Sequence, residues 1–137
     1  MTEKIFQNNQ ATIAGEIVSE FTYSHELFGE GFYNVMVKVN RLSDTYDEIP
    51  VMISERIIDV HENQLGKMVE VKGQFRSYNK HDESKNRLIL SLFAREIRVL
   101  EEGEEYPKPN QIYLDGFICK KPVYRMTPLG REIADIL

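Results

Sequence analysis

The chain repeats itself at a spacing of 101 residues, and this sets the size of its folding unit. Residues 9–36 (NQATIAGEIVSEFTYSHELFGEGFYNVM) lie without a gap over residues 110–137 (NQIYLDGFICKKPVYRMTPLGREIADIL). Identities fall at Asn9/Asn110, Gln10/Gln111, Gly15/Gly116, Ile17/Ile118, Tyr23/Tyr124 and Gly29/Gly130. Apolar character is kept at Ile13/Leu114, Val18/Cys119, Phe28/Leu129, Phe32/Ile133, Val35/Ile136 and Met36/Leu137. Glycines and apolar alternation staying in step over an ungapped offset mark one structural unit used twice. The expected organisation is one whole domain over residues 1–100, a link over 101–109, and the first strands of a truncated second copy over 110–137. A strand pair with nothing to cover it is marginal in water. The second segment is therefore expected to hang loose or to exchange with a neighbouring chain through its unpaired edge.

Within the unit the dominant period is two, the signature of half-buried strands. In 11–22, Ile13, Gly15 and Ile17 alternate with Ala14, Glu16 and Val18. From Phe32 to Val39, Tyr33, Val35, Val37 and Val39 share one face, and Phe32, Asn34, Met36 and Lys38 share the other. A third strand is expected over 48–54, with Pro50 pointing to an edge or a bulge. Residues 55–64 (ERIIDVHENQ), closed by Gly66, read as a short helix. Two further strands, 68–78 and 87–99, flank the polar loop 79–86. The first turns Val69, Val71, Gly73 and Phe75 inward and Gln74, Arg76 and Tyr78 outward. In the second, Leu88, Leu90 and Leu92 oppose Ile89, Ser91 and Phe93. Phe75, Phe93 and Tyr33 are expected in the core, and Phe28 and Phe32 in turn and rim packing. Three strands, a short helix and a long hairpin make an all-β chain with one helix. The layout is that of a five-stranded OB-fold Greek-key barrel.

These residues carry a resemblance. The run from Gly29 to Arg41 (GEGFYNVMVKVNR) resembles the second-strand motif of bacterial single-stranded-DNA-binding proteins: a glycine turn, an alternating strand, then Val-Asn-Arg. Residues 110–116 (NQIYLDG) and 124–130 (YRMTPLG) are similar to that family's first strand and its following R-x-T-P-x-G hairpin. Residues 67–76 and 88–96 resemble its fourth and fifth strands. The resemblance covers residues 8–100 for one domain and 110–137 for the start of another. It implies an OB-fold that coats single strands without reading sequence, in assemblies of several OB domains, and hence a bacterial, cytoplasmic, nucleoid-associated role in replication, recombination or repair. The chain also departs from the family. It has no tryptophan. The family's base-stacking positions correspond to Glu48, Ser54 and Lys80, and the acidic, phenylalanine-ended tail is missing.

The formal charge of −5 would disfavour a polyanion partner, but the charge is unevenly spread. Between Lys72 and Arg98 stand seven basic and three acidic side chains, followed by the acidic link Glu101, Glu102, Glu104 and Glu105. A cationic face on an acidic body suits a nucleic acid, and a solvated strand face gives the same pattern. The residues expected to touch single-stranded DNA are Asn34 and Lys38 on the outward face of the second strand, with Arg41 just beyond. On the hairpin they are Arg76, Tyr78, Lys80, Lys85 and Arg87. The cations would neutralise phosphates, and Tyr78 would offer a π-face to a base.

An enzyme is not expected. His25, His61 and His81 lack metal-ligand spacing, and there is no phosphate-binding glycine loop. Cys119 is a lone cysteine, read as a buried strand residue. No cofactor, metal, membrane or small-molecule substrate is expected. The partners are single-stranded DNA, further copies of the chain, and replication or repair proteins. The alternative is an OB-fold assembly module of the primosome-accessory type with little affinity for DNA.

Overall fold

The computed structural model describes residues 8–81 and 83–137, without the side chains of Tyr78, Lys80 and His81. Its strands are β1 (Asn9–Ile17), β2 (Thr22–Leu27), β3 (Glu30–Asn40), β4 (Tyr46–Ser54), β5 (Met68–His81), β6 (Asn86–Val99), β7 (Asn110–Leu114), β8 (Val123–Met126) and β9 (Glu132–Asp135). Two compact units are built from them. One spans Asn9–Tyr113; the other comprises, among the described residues, Asn8 and Leu114–Leu137.

The larger unit is an OB-like sheet in the order β2-β3-β4-β6-β5-β1-β7, with a further β3–β1 pairing. The β1–β3, β1–β5, β2–β3, β3–β4 and β5–β6 registers are antiparallel, and β4–β6 is parallel and confined to Val51↔Leu92 and Met52↔Phe93. Pro50 lies on β4 just before that short contact, opposite Met36 of β3, where its missing N–H costs little. Besides β7, β1 pairs with β5 from Ala11 to Glu16 and with β3 at Glu16 and Ile17. The backbones of β1 and β3 come close there. A Cβ on Gly15 would run into the carbonyl oxygen of Lys38, so only glycine fits there.

Alternation decides the core. Ile13, Ile17, Val35, Val37, Val39, Val51, Ile53, Val69, Val71, Leu92 and Ala94 form one buried cluster, with Tyr33, Phe21, Ile49, Ile58 and Ile97 packed against it. Burying each large aliphatic side chain is worth about 1.5–3 kcal/mol, so this face holds the sheet together. Phe75 has the parity of Leu92, its register partner, yet is 38% exposed. It lines an open apolar cleft of about 370 Å³ with Ala11, Ile13, Leu90, Leu92 and Ile112.

The structure corrects the expected helix. Residues 55–64 form successive turns, and there is no helix among the described residues. Side chains capture the amides that a helix would need. Ser54 Oγ accepts from Arg56 N (3.1 Å), Asp59 Oδ1 from His61 N (2.9 Å) and Glu62 N (3.3 Å), and Asn63 Oδ1 from Leu65 N (3.0 Å). Such local bonds compete with helical pairing, and one short turn of helix is costly to nucleate. A strand that alternation did not single out, β2, forms a hairpin with β3. The long hairpin is also extended: β5 runs to His81 and β6 begins at Asn86, shortening the expected loop 79–86.

In the smaller unit β8 pairs with β9 through Val123↔Asp135, Tyr124↔Ala134, Arg125↔Ile133 and Met126↔Glu132. The first two pairs stand 101 residues after Thr22↔Asn34 and Tyr23↔Tyr33 of the β2–β3 hairpin. The turn glycines Gly29 and Gly130 have matching left-handed φ values of 76° and 80°. Cys119, expected to be buried, is exposed.

Candidate nucleic-acid interface

The outward face of the larger unit carries the side chains opposite in parity to the core. Across β3, β4, β6 and β5 it brings Asn34, Met52, Phe93 and Gln74 into one row through the registers Asn34↔Met52, Met52↔Phe93 and Gln74↔Phe93. Phe93 is the centre of this row. Its ring centroid is 5.8 Å from that of Phe32. The Arg76 guanidinium carbon stands 4.0 Å over the Phe93 ring, and that of Arg95 is 5.8 Å away. Phe32 in turn stacks on His25 at 5.0 Å with an interplanar angle of 12°. Gln74 Oε1 accepts from Arg76 (2.9 Å) and Arg95 (3.4 Å), holding both guanidinium groups beside the ring.

Sequence reasoning missed this cluster. Phe93 was expected in the core and Phe32 at a rim; Phe93 faces outward, half-buried, and Phe32 is 7% exposed beneath its neighbours. The signal was present in the parity of Phe93 against Leu92, the buried residue beside it. Arg95 owes its place to a bulge. Lys72 pairs with Glu96 but Gly73 pairs with Ala94, so Arg95 is the extra residue on β6. A bulge re-aims side chains, here turning Arg95 and Glu96 outward in succession. Gly73 permits it, since a Cβ there would strike the carbonyl oxygen of Phe93.

The expected contact residues separate into groups. Asn34 and Lys38 lie on the outward face of β3, with Lys38 Nζ 4.4 Å from the Tyr46 ring centroid. Arg76 joins the aromatic cluster. Lys85 and Arg87 are exposed at the far end of the β5–β6 hairpin. The side chains of Tyr78 and Lys80 lie outside the described residues. Their backbones on β5 pair with Ile89 and Arg87. Arg41 is set apart because it forms a two-pronged pair with Asp47 (2.7 and 2.8 Å). That hydrogen-bonded pairing raises the arginine pKa and lowers the carboxylate, so both stay charged and satisfied by each other. Phe28, expected to pack, is 95% exposed.

Two cations of the basic segment are likewise engaged. Arg98 donates to Glu104 of the link through its two terminal nitrogens (3.0 and 2.9 Å) and lies 3.6 Å from Glu70. Lys72 is 3.8 Å from Glu70. The Glu70 carboxyl is held below its ordinary range, first by a hydrogen bond from Tyr106 and then by these cations. Burial, and then that same bond, push the Tyr106 phenol up to about 12. The acidic link is thus strapped to the base of β5 and β6, and the uncommitted positive charge gathers toward Arg76, Arg95 and the hairpin end.

No protein-family model and no curated protein matches the chain. Solved structures do. The wild-type single-stranded DNA binding protein from Thermus aquaticus aligns with a TM-score of 0.72 at 15% identity, covering 93% of this chain and 66% of that one. The Plasmodium falciparum SSB solved in complex with single-stranded DNA aligns at 0.57 and 17% identity, over 74% of this chain and 100% of that one. At such identities these two matches speak to the fold. The dimeric N-terminal domain of PriB protein from Thermoanaerobacter tencongensis is nearer in sequence, at 40% identity and a TM-score of 0.60, over 69% of this chain and 99% of that domain. With that identity across a whole domain, this chain belongs to the family of that PriB domain, and it shares the fold of the single-stranded-DNA-binding proteins.

Proposed function

We propose that the chain binds single-stranded DNA without reading its sequence, on the outward face of a five-stranded OB barrel formed by β1, β3, β4, β5 and β6, in support of replication, recombination or repair. The observation that carries this reading is the Arg76–Phe93–Phe32–His25 cluster. A base stacks on any aromatic face or guanidinium plane whatever its identity, which is the chemistry of sequence-tolerant binding. Asn34 and Arg95 border the cluster, Lys38 lies four residues further along β3, and Lys85 and Arg87 continue the positive charge along the hairpin, with Tyr78 and Lys80 between Arg76 and Lys85 in sequence. Arg41 contributes least, since Asp47 already holds it. The role is one of binding rather than catalysis, in the bacterial cytoplasm where single strands are exposed.

The tandem reading assigns 1–100 to the first OB domain, 101–109 to the link and 110–137 to the opening of a second. It is supported by the 101-residue offset between the two hairpin registers. A second reading, an assembly module working through protein contacts or further copies of itself, is favoured by one observation. Leu114, Ile118, Tyr124, Ile136 and Leu137 are all more than half exposed, whereas Ile13 and Ile17, the counterparts of the first two, are almost wholly buried.

The discriminating experiment is fluorescence anisotropy of a labelled oligo-dT titrated with the chain at several salt concentrations, with duplex as competitor. Strand-selective binding that weakens with salt, with a log–log slope of about −0.7 per phosphate contacted, is the expected result. Absence of binding at low salt would leave the assembly role standing alone.

A further inference from the structure

We infer that Phe28, at the tip of the β2–β3 hairpin, is a base-stacking residue that carries the strand-binding face beyond the sheet. The inference rests on the single-strand reading above and names a contact outside its aromatic cluster.

The turn between Leu27 and Glu30 has two residues, Phe28 and Gly29, with φ values of 50° and 76°. Left-handed conformation at both positions is the turn for which Asn-Gly is the favoured pair. Phe28 is the one non-glycine residue with positive φ among the described residues. An aromatic side chain in that region is strained, and strain kept at a special position points to use. Burial does not offset the strain, since Phe28 is 95% exposed and its neighbour Leu27 is 52% exposed. An apolar side chain that folding does not bury, in a backbone state that disfavours it, is accounted for by contact with something outside the chain.

Its position indicates what. The outward aromatics step from Phe93 to Phe32 to His25, and His25 lies on β2 three residues before Phe28. At a strand rise of about 3.4 Å per residue, Phe28 stands roughly 10 Å further along the same hairpin. The surrounding charge then defines the kind of contact. Glu30 is bonded by Ser54 Oγ and paired with Arg56 (3.6 Å), Glu55 accepts from Gly31 N (3.2 Å), and Glu26 is exposed. Carboxylates do not gather phosphates, so the tip meets the strand through a base and adds affinity without adding counterion release.

The test uses two variants of the whole chain and the labelled oligo-dT. Phe28→Asn is expected to weaken binding by roughly 5- to 150-fold, the range one lost base stack commands. The salt slope should stay unchanged, and the melting temperature should hold or rise. Because the chain has no tryptophan, Phe28→Trp supplies a unique fluorophore. Its emission should be quenched by unlabelled oligo-dT and saturate with the anisotropy curve. If the native chain binds while Phe28→Asn binds equally and the Phe28→Trp emission stays unmoved, this inference fails and the strand-binding reading survives. If the native chain does not bind, both fall together.

Discussion

Replacing Phe93 by leucine separates the stacking account of this face from a purely electrostatic one. Leucine keeps most of the apolar volume at a half-buried site, so the packing loss is small beside the loss of the ring. What disappears is the π-face. The Arg76 contact at 4.0 Å and the Phe32 contact at 5.8 Å both depend on it. Such contacts contribute about 0.5–1 kcal/mol for a cation–π pair at an exposed site and about 0.5–1.5 for an aromatic pair. Folding should therefore lose about 1–2.5 kcal/mol, read from a urea titration. For binding, one lost base stack is worth about 1–3 kcal/mol, a rise in Kd of roughly 5- to 150-fold. Release of the Arg76 guanidinium from the ring works the other way, since a free guanidinium pairs more readily with phosphate, but it adds at most one contact. Anisotropy with oligo-dT should show the weaker Kd at every salt concentration with an undiminished slope. Arg76→Gln should do the reverse, lowering the slope by about 0.7. A Phe93→Leu protein that loses the expected stability yet binds within twofold of the native chain would refute the stacking account.

Freeing Arg41 by Asp47→Ala should strengthen single-strand binding at low salt and steepen the salt slope by about 0.7, as one more cation becomes available to phosphate. Gly15→Ala should destabilise the larger unit by more than about 1 kcal/mol, because its Cβ collides with the Lys38 backbone; the denaturation midpoint checks this. The strap at the base of β5 and β6 should depend on pH at both ends. Glu70 titrates below its ordinary 4.5, so its contribution is present above that value and lost as pH falls through the lower folded one. Tyr106 is raised from 10.0 to about 12, so its contribution is complete below 10 and lost as pH rises toward 12. Tyr106→Phe should remove the alkaline loss and shrink the acid loss, as followed by amide exchange of residues 101–106.

What could be read from the sequence was whatever repeats at short range. Tyr33, Val35, Val37 and Val39 face inward, and Asn34, Met36 and Lys38 outward, because a strand's parity is written in consecutive residues. What failed depended on competition or on distant partners. Residues 55–64 have a helix-like composition, but Ser54, Asp59 and Asn63 divert the amides, a local contest that periodicity does not register. Phe93 was misplaced by its hydrophobicity, although its parity was correct, and its outward role depends on Arg76 from another strand. The Arg95 bulge and the Arg41–Asp47 pair arise only after β5 meets β6 and after the 41–47 turn closes. The cations counted along the sequence were therefore more numerous than those left free to meet a ligand.

Gly15 and Gly116 occupy the same place in the two copies, but only one of them is under pressure. Gly15 is hemmed in by the backbone of β3, while a Cβ on Gly116 would find nothing within 4 Å. The second glycine thus holds room for a crossing backbone, and that makes it a reporter. Gly116→Ala should pass unnoticed in the stability of the chain examined by itself. It should weaken only an association in which another strand closes over residues 110–118. A methyl group at this one position would thus separate a segment that works alone from one that is finished by contact.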